Sequence, residues 1–208
     1  MAEERFLSEC WTMYFHDPDH NQWTPSSYKI IGHISTVQDW CYNDASFMNL
    51  WYKGMFFIMR EHIQPLWEDP LNKNGGCFSF KVNKNDAGEY WFRLGALLLG
   101  GNLGKKSEVQ DKICGISISP KRNYCILRVW LQDHEYNSIE FFNLEIPVYS
   151  QVMYKSHTEN SDFENKTTDA PLTDVLAPVE TAVIPDKPSL PVKERYERPR
   201  IRHNKNSG

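Results

Sequence analysis

Three observations predict an α+β fold built on an antiparallel sheet with one face covered. Short aromatic-rich runs alternate apolar and polar residues, helix-spaced apolar stretches lie between them, and both patterns stop near residue 156. The chain has 208 residues, 40% of them hydrophobic, which is enough for one domain with a real core and some chain to spare.

The predicted strands, in order, are WTMYF (11–15), YKIIGHI (28–34), CFSFKV (77–82), CGISIS (114–119), NYCILRVWL (123–131) and IPVYSQVMY (146–154). Three stretches read as helical. TVQDWCYNDA (36–45) begins at a Ser35 or Thr36 N-cap. GEYWFRLGALLLGG (88–101) carries an apolar face and ends in Gly-Gly, a C-terminal stop, and YNSIEFFNLE (136–145) is the third.

Residues 1–156 are therefore read as the domain and 157–208 as a disordered tail, because the tail is Pro-punctuated and has no sustained apolar period. Its charge is split. Residues 157–192 carry mainly Asp and Glu, whereas 193–208 hold Lys193, Arg195, Arg198, Arg200, Arg202 and Lys205 against Glu194 and Glu197.

Composition excludes several function classes. The five cysteines are scattered and form no C-x-x-C pair, so neither a disulfide framework nor a zinc site is expected. No apolar run approaches the ~18 residues of a membrane span, and the acidic start MAEERFLSEC is unlike a signal peptide. A soluble cytoplasmic protein with no membrane partner is the expectation. A net charge of −4 argues against duplex DNA, which calls for a basic surface. There is no P-loop, nucleophile–base constellation or histidine cluster, so no catalysis and no cofactor are expected.

Seven tryptophans, all before residue 131, exceed what a core of this size needs. The most informative stands in HIQPLWEDPLNKNGG (62–76), where Trp67 adjoins Glu68 and Asp69 in a loop. An indole beside a carboxylate suits a flat, electron-poor ligand. The bland reading of Trp67 is a core tryptophan, that of Glu68 a solvated acid, and Asp69 reads as a turn cap.

Taken in order, W-x-x-Y-F (11–15), Q-W-T (22–24), T-V-Q-D-W (36–40), P-L-W-E-D (65–69) with N-K-N-G-G, Y-W (90–91) and the C-G-I-S-I-S…V-W segment (114–130) resemble the translation initiation factor 4E family, whose members bind the 7-methylguanosine cap of messenger RNA. The resemblance covers roughly residues 8–157. It implies a curved sheet with helices on the convex face and a cap slot on the concave face.

Methylation at N7 makes guanine a flat cation, and indoles stacked on its faces gain dispersion and cation–π attraction. The resemblance puts Trp23 and Trp67 on the two faces. Glu68 is placed on the guanine N1–H and N2 donors, and Trp130 beside the N7-methyl group. A carboxylate reads the donor edge of guanine, opposite the acceptor edge that arginine usually reads. Trp11, Trp40 and Trp91 match buried aromatics of the family.

The family's triphosphate cations are only partly matched. Lys121 keeps one, Ile126 replaces a second and Cys77 a third. Strand alternation puts Arg128 on the face of Trp130, so Lys121, Arg122 and Arg128 are the expected phosphate residues. The bland reading of each is a solvated charge.

A partner surface for an initiation scaffold protein is expected to include Leu7, Val37, Trp40, Cys41, Phe92 and Arg93. It departs from the family at Arg5-Phe6-Leu7, Cys41 and Arg93. Two roles stay open: an initiation factor that holds the cap and recruits a scaffold, and a repressor or cap-guarding protein that only holds the cap. A cap-processing hydrolase and a generic single-stranded RNA binder are the more distant readings.

Overall fold

The computed structural model describes residues 3–20, 22–41 and 52–158. The chain divides into Met1–Asp169 and Ala170–Gly208, and all described residues lie in the first unit. The second half of the TVQDWCYNDA stretch, Trp51 and the tail from 159 lie outside the described residues.

Seven strands form one curved antiparallel sheet. They are β1 (Phe6–His16), β2 (Tyr28–Thr36), β3 (Met55–Arg60), β4 (Gly76–Asn83), β5 (Ile113–Pro120), β6 (Tyr124–Leu131) and β7 (Met153–Ser156), in the order β2-β1-β3-β5-β6-β4-β7. The helix α1 (Ala87–Leu99) packs Trp91, Leu94, Leu98 and Leu99 on the face that carries Trp11, Ile58, Phe78, Ile116 and Leu127, and Trp40, on a helical segment that begins at residue 37, joins the same core. A short helix, α2 (Ser107–Gln110), precedes β5.

The other face carries a smaller apolar cluster: Tyr14, Tyr28, Phe57, Met59, Ile63, Leu66, Cys114 and Trp130. A β-bulge makes this division possible. Met13 faces Gly32 but Tyr14 faces Ile30, so two residues of β2 answer one of β1 around Ile31. The slip turns Tyr28 to the second face while Ile34 stays in the main core.

Four expectations need correction. MFFIMR, which is β3, does not alternate and was not expected as a strand. Phe56 and Ile58 enter the main core while Phe57 and Met59 enter the second cluster, so both faces are apolar and the period of two vanishes. Of 146–154, only Met153 and Tyr154 are strand, within β7, because side chains rather than backbone meet the edge of β4 before them: the Ser150 hydroxyl and Tyr149 phenol accept from the Lys81 and Asn83 N–H groups. The stretch 136–145 makes only one 3-10 turn, Ile139–Phe141. His157, assigned by composition to the tail, is 2% exposed and belongs to the fold.

Candidate functional site

The loop between β3 and β4 is built by two side chains. The Asp69 carboxylate accepts from the Gln64 and Leu71 N–H groups, each at 2.9 Å. The Asn72 amide, fully buried, donates to the Gln64 and Leu66 carbonyls at 2.9 and 2.7 Å. Gly75 closes the loop against β6, where a Cβ would collide with the Leu131 carbonyl. These bonds fix Leu66 in the second cluster, leave Trp67 half-buried against it and turn Glu68 to solvent.

Trp23 sits in the loop before a 3-10 turn, Pro25–Ser27, and is 45% exposed. Its indole stacks on the buried imidazole of His16 at 4.2 Å with the planes 6° apart, and lies 6.4 Å from the ring of Tyr28. Among the described residues Trp23 and Trp67 make no ring contact with each other. Tyr28 belongs to the cluster on which Trp67 packs. Burial pushes its phenol up, and the nearby Glu68 carboxylate raises it further.

Trp130 belongs to the same second cluster. It is 9% exposed, its indole N–H donates to the Ser117 hydroxyl at 3.0 Å, and its ring packs on Phe57 and His157. The His157 Nδ1–H donates to the Asn72 carbonyl at 2.9 Å, and its backbone N–H donates to the Gly75 carbonyl at 2.9 Å. The end of β7 is thereby fastened to the loop that carries Trp67. Burial holds the His157 pKa below the ordinary imidazole value.

The cationic candidates divide. Arg128 shares the second face with Trp130, since Cys125, Leu127, Val129 and Leu131 enter the main core. Lys121 and Arg122 are exposed in the β5–β6 turn. Arg128 and Lys155 both bear on the Cys77 thiol, whose pKa is raised by burial and lowered in part by those two charges. Lys155 was not foreseen, because only the β4–β7 register pairs it with Cys77. The roles of His16, Tyr28, Asn72 and His157 likewise have no signal in the sequence short of the fold.

The partner candidates lie on the opposite side. Trp40 is buried and stacks on Phe92 at 5.8 Å, against Gly95 of α1, where a Cβ would sit 2.5 Å from the indole. Val37, Phe92 and Cys41 are exposed, and Leu7 packs partly on the main core. Arg93 pairs with Glu89 at 2.7 Å and Glu145 at 2.6 Å. Among the described residues there is no group of three metal-ligating side chains, and no helix is long and apolar enough to cross a membrane.

Comparison with known proteins adds a family. The model of the family "Eukaryotic initiation factor 4E" matches residues 6–171. The chain is similar to "Eukaryotic translation initiation factor NCBP" of Triticum aestivum, with 33% identity over 120 residues that cover 52% of this chain and 50% of the wheat protein. It therefore spans about half the length of that relative. It is also similar to "Eukaryotic translation initiation factor 4E" of Xenopus laevis, at 23% identity, covering 78% of this chain and 81% of the frog protein. Among solved structures, "Complex of C. elegans eIF4E-3 with the 4E-binding protein Mextli and cap analog" aligns with a TM-score of 0.66 and 20% identity, covering 77% of this chain and 96% of that one.

Proposed function

The chain belongs to the eukaryotic initiation factor 4E family, and on that premise we propose that it binds the 7-methylguanosine cap of messenger RNA in translation initiation, as a non-catalytic cytoplasmic protein. One observation carries the reading. Tyr28 lies 6.4 Å from the ring of Trp23 and belongs to the apolar cluster on which Trp67 packs, with Glu68 next to Trp67 in the chain, an arrangement that supports a shared slot. The cap analogue named for the roundworm neighbour supports the same ligand.

In this reading the N7-methylated base enters between the free face of Trp23 and the exposed part of Trp67. Its cationic ring gains stacking and cation–π attraction from both. Glu68, already in solvent beside the slot, accepts the N1–H and N2–H donors as a charge-assisted pair. An adenine would present the wrong edge and forgo that charge-assisted pair. The small exposed edge of Trp130 meets the methyl group. The triphosphate runs along the second face toward Arg128, with Lys121 and Arg122 reaching in from the turn.

Retention on immobilised 7-methyl-GTP, with unmethylated GTP as competitor, tests this directly. Elution by 7-methyl-GTP alone supports the reading, and equal elution by both nucleotides sinks it in favour of a generic RNA binder. Incubating capped RNA with magnesium should release no cap fragment; a product would restore the hydrolase reading.

Arg93 favours a second reading for the role. Arg93 stands where the family resemblance leads one to expect an acid, and Glu89 and Glu145 hold its guanidinium, so that position cannot make the acid's contact. A cap-binding protein that does not recruit the usual scaffold fits that surface. Pull-down of capped RNA with and without a scaffold peptide separates the two roles.

A further inference from the structure

Beyond the slot, the second face of the sheet continues across β6, β4 and β7. In the register, Trp130 pairs with Cys77, and Cys77 pairs with Lys155. Two residues along β6 from Trp130 lies Arg128, and the next row pairs Ile126 with Lys81. Lys81 places its ammonium 4.9 Å from the ring centre of Tyr124, at the far end of β6. Arg128 and Lys155 flank Cys77 closely enough to act on its thiol.

No Asp or Glu occupies the alternating positions of this face: 77, 79, 81 and 83 in β4, 124, 126, 128 and 130 in β6, and 153 and 155 in β7. Lys81 and Lys155 are exposed. The strip runs about 20 Å from Trp130 to Tyr124 and is about 10 Å wide from β6 to β7.

A mononucleotide cap does not use such a length. It fits an extended polyanion with flat groups, and the chain that leaves the cap triphosphate is one. Because that chain is tethered to the ligand in the slot, even weak contacts act at a high effective concentration.

We propose that Arg128, Lys155, Lys81 and Tyr124 form a track for the single-stranded RNA that follows the cap, with the two lysines on phosphodiesters and Tyr124 as a stacking surface for a base. This rests on the cap-binding reading. A base arriving at Tyr124 displaces Lys81 from the ring, and the released ammonium meets the adjoining phosphate. Stacking on a tyrosine is sequence-tolerant, so the track discriminates little among RNA sequences.

The test uses the full chain, the paired changes Lys81→Ala with Lys155→Ala, the single changes Lys81→Ala and Tyr124→Ala, and three ligands: 7-methyl-GTP, a capped oligoribonucleotide of about ten nucleotides, and its uncapped form. The unaltered protein should bind the capped oligonucleotide more tightly than 7-methyl-GTP. The paired change should remove that advantage and reduce the slope of log affinity against log salt by about 1.4, two contacts at about 0.7 each. In the single change Lys81→Ala, affinity for 7-methyl-GTP should stay unchanged. Tyr124→Ala should weaken the capped oligonucleotide on the order of 5- to 100-fold, and Lys81→Arg with Lys155→Arg should retain binding.

Equal losses for 7-methyl-GTP and the oligonucleotide would place the lysines in the triphosphate site and overturn the track, and so would no loss for either. Failure of the cap reading has its own signature: the unaltered protein does not retain 7-methyl-GTP. The track is then judged by the same salt slopes on the uncapped oligonucleotide.

Discussion

The imidazole of His16 lies flat against one face of Trp23, at 4.2 Å, so that face is filled. Only the opposite face is open to a base, and the buried ring behind it sets its angle. His16→Phe keeps a flat partner and should retain affinity for 7-methyl-GTP, whereas His16→Ala should lower it and also destabilise the fold by about 2–5 kcal/mol through the cavity. Fluorescence titration read beside urea unfolding separates those effects. At the stacking residues themselves, Trp23→Ala and Trp67→Ala should each weaken 7-methyl-GTP binding by about 1–3 kcal/mol. Glu68→Gln should weaken it while leaving stability unchanged, since the carboxylate is exposed. If all three variants bind like the unaltered chain, the ligand lies elsewhere.

The helical segment that begins at residue 37 is held at its start by a reciprocal cap. The Thr36 hydroxyl accepts from the Asp39 N–H at 3.0 Å, and Asp39 accepts from the Ser35 and Thr36 N–H groups at 2.9 Å each. Thr36→Ala should cost about 1 kcal/mol in urea unfolding. The Asp39 carboxyl is held below the usual range, first by the Ser35 N–H. Its contribution is therefore complete above the ordinary carboxylate pKa and is lost as pH falls through the lower folded value. Asp39→Asn should flatten that acid limb.

This cap was legible in the sequence, as were the strands that alternate and the helix ending at Gly100-Gly101. The central strand β3 was not, because Phe57 and Met59 fill a second cluster and erase the alternation that marks a strand. Trp23, Trp67, Glu68 and Trp130 stood out through residue type and motif order. His16 and Lys155 did not, because each owes its place to a ring stack or a strand pairing that exists only once distant segments meet.

On the scale of the whole molecule, His157 joins the last described strand to the loop of Trp67. Its pKa is depressed by burial, so the folded chain binds fewer protons there than the unfolded chain. The stability it permits is complete above the unfolded imidazole value of about 6.5 and falls as pH drops toward the lower folded value. Urea midpoints between pH 7 and pH 5 should decline less in His157→Gln than in the unaltered chain. The tail offers another test at this scale. Its basic end, 193–208, follows a Pro-rich spacer. We expect deletion of 159–208 to leave 7-methyl-GTP binding intact while weakening a capped oligonucleotide, more at low salt than at high. Loss of both would assign the tail to the fold.

The strand order β2-β1-β3-β5-β6-β4-β7 has a consequence in time. Beside the local β1–β2 and β5–β6 pairings, β3 must find β5, and β4 must find β6 and β7, across long stretches of intervening chain. Sheets that rely on distant pairings pay loop entropy before their contacts form and fold slowly, in milliseconds to seconds. Trp23 sits in the loop of the β1–β2 hairpin and Trp130 on β6 of the β5–β6 hairpin, whereas Trp67 lies between β3 and β4, so no single hairpin brings the three together. Refolding followed by stopped flow should recover ligand binding in the slowest major phase, together with the burial of Trp11 and Trp91. Until that phase ends, β3, apolar on both faces, stays exposed, and 55–60 is the segment where aggregation of the incompletely folded chain is expected to start.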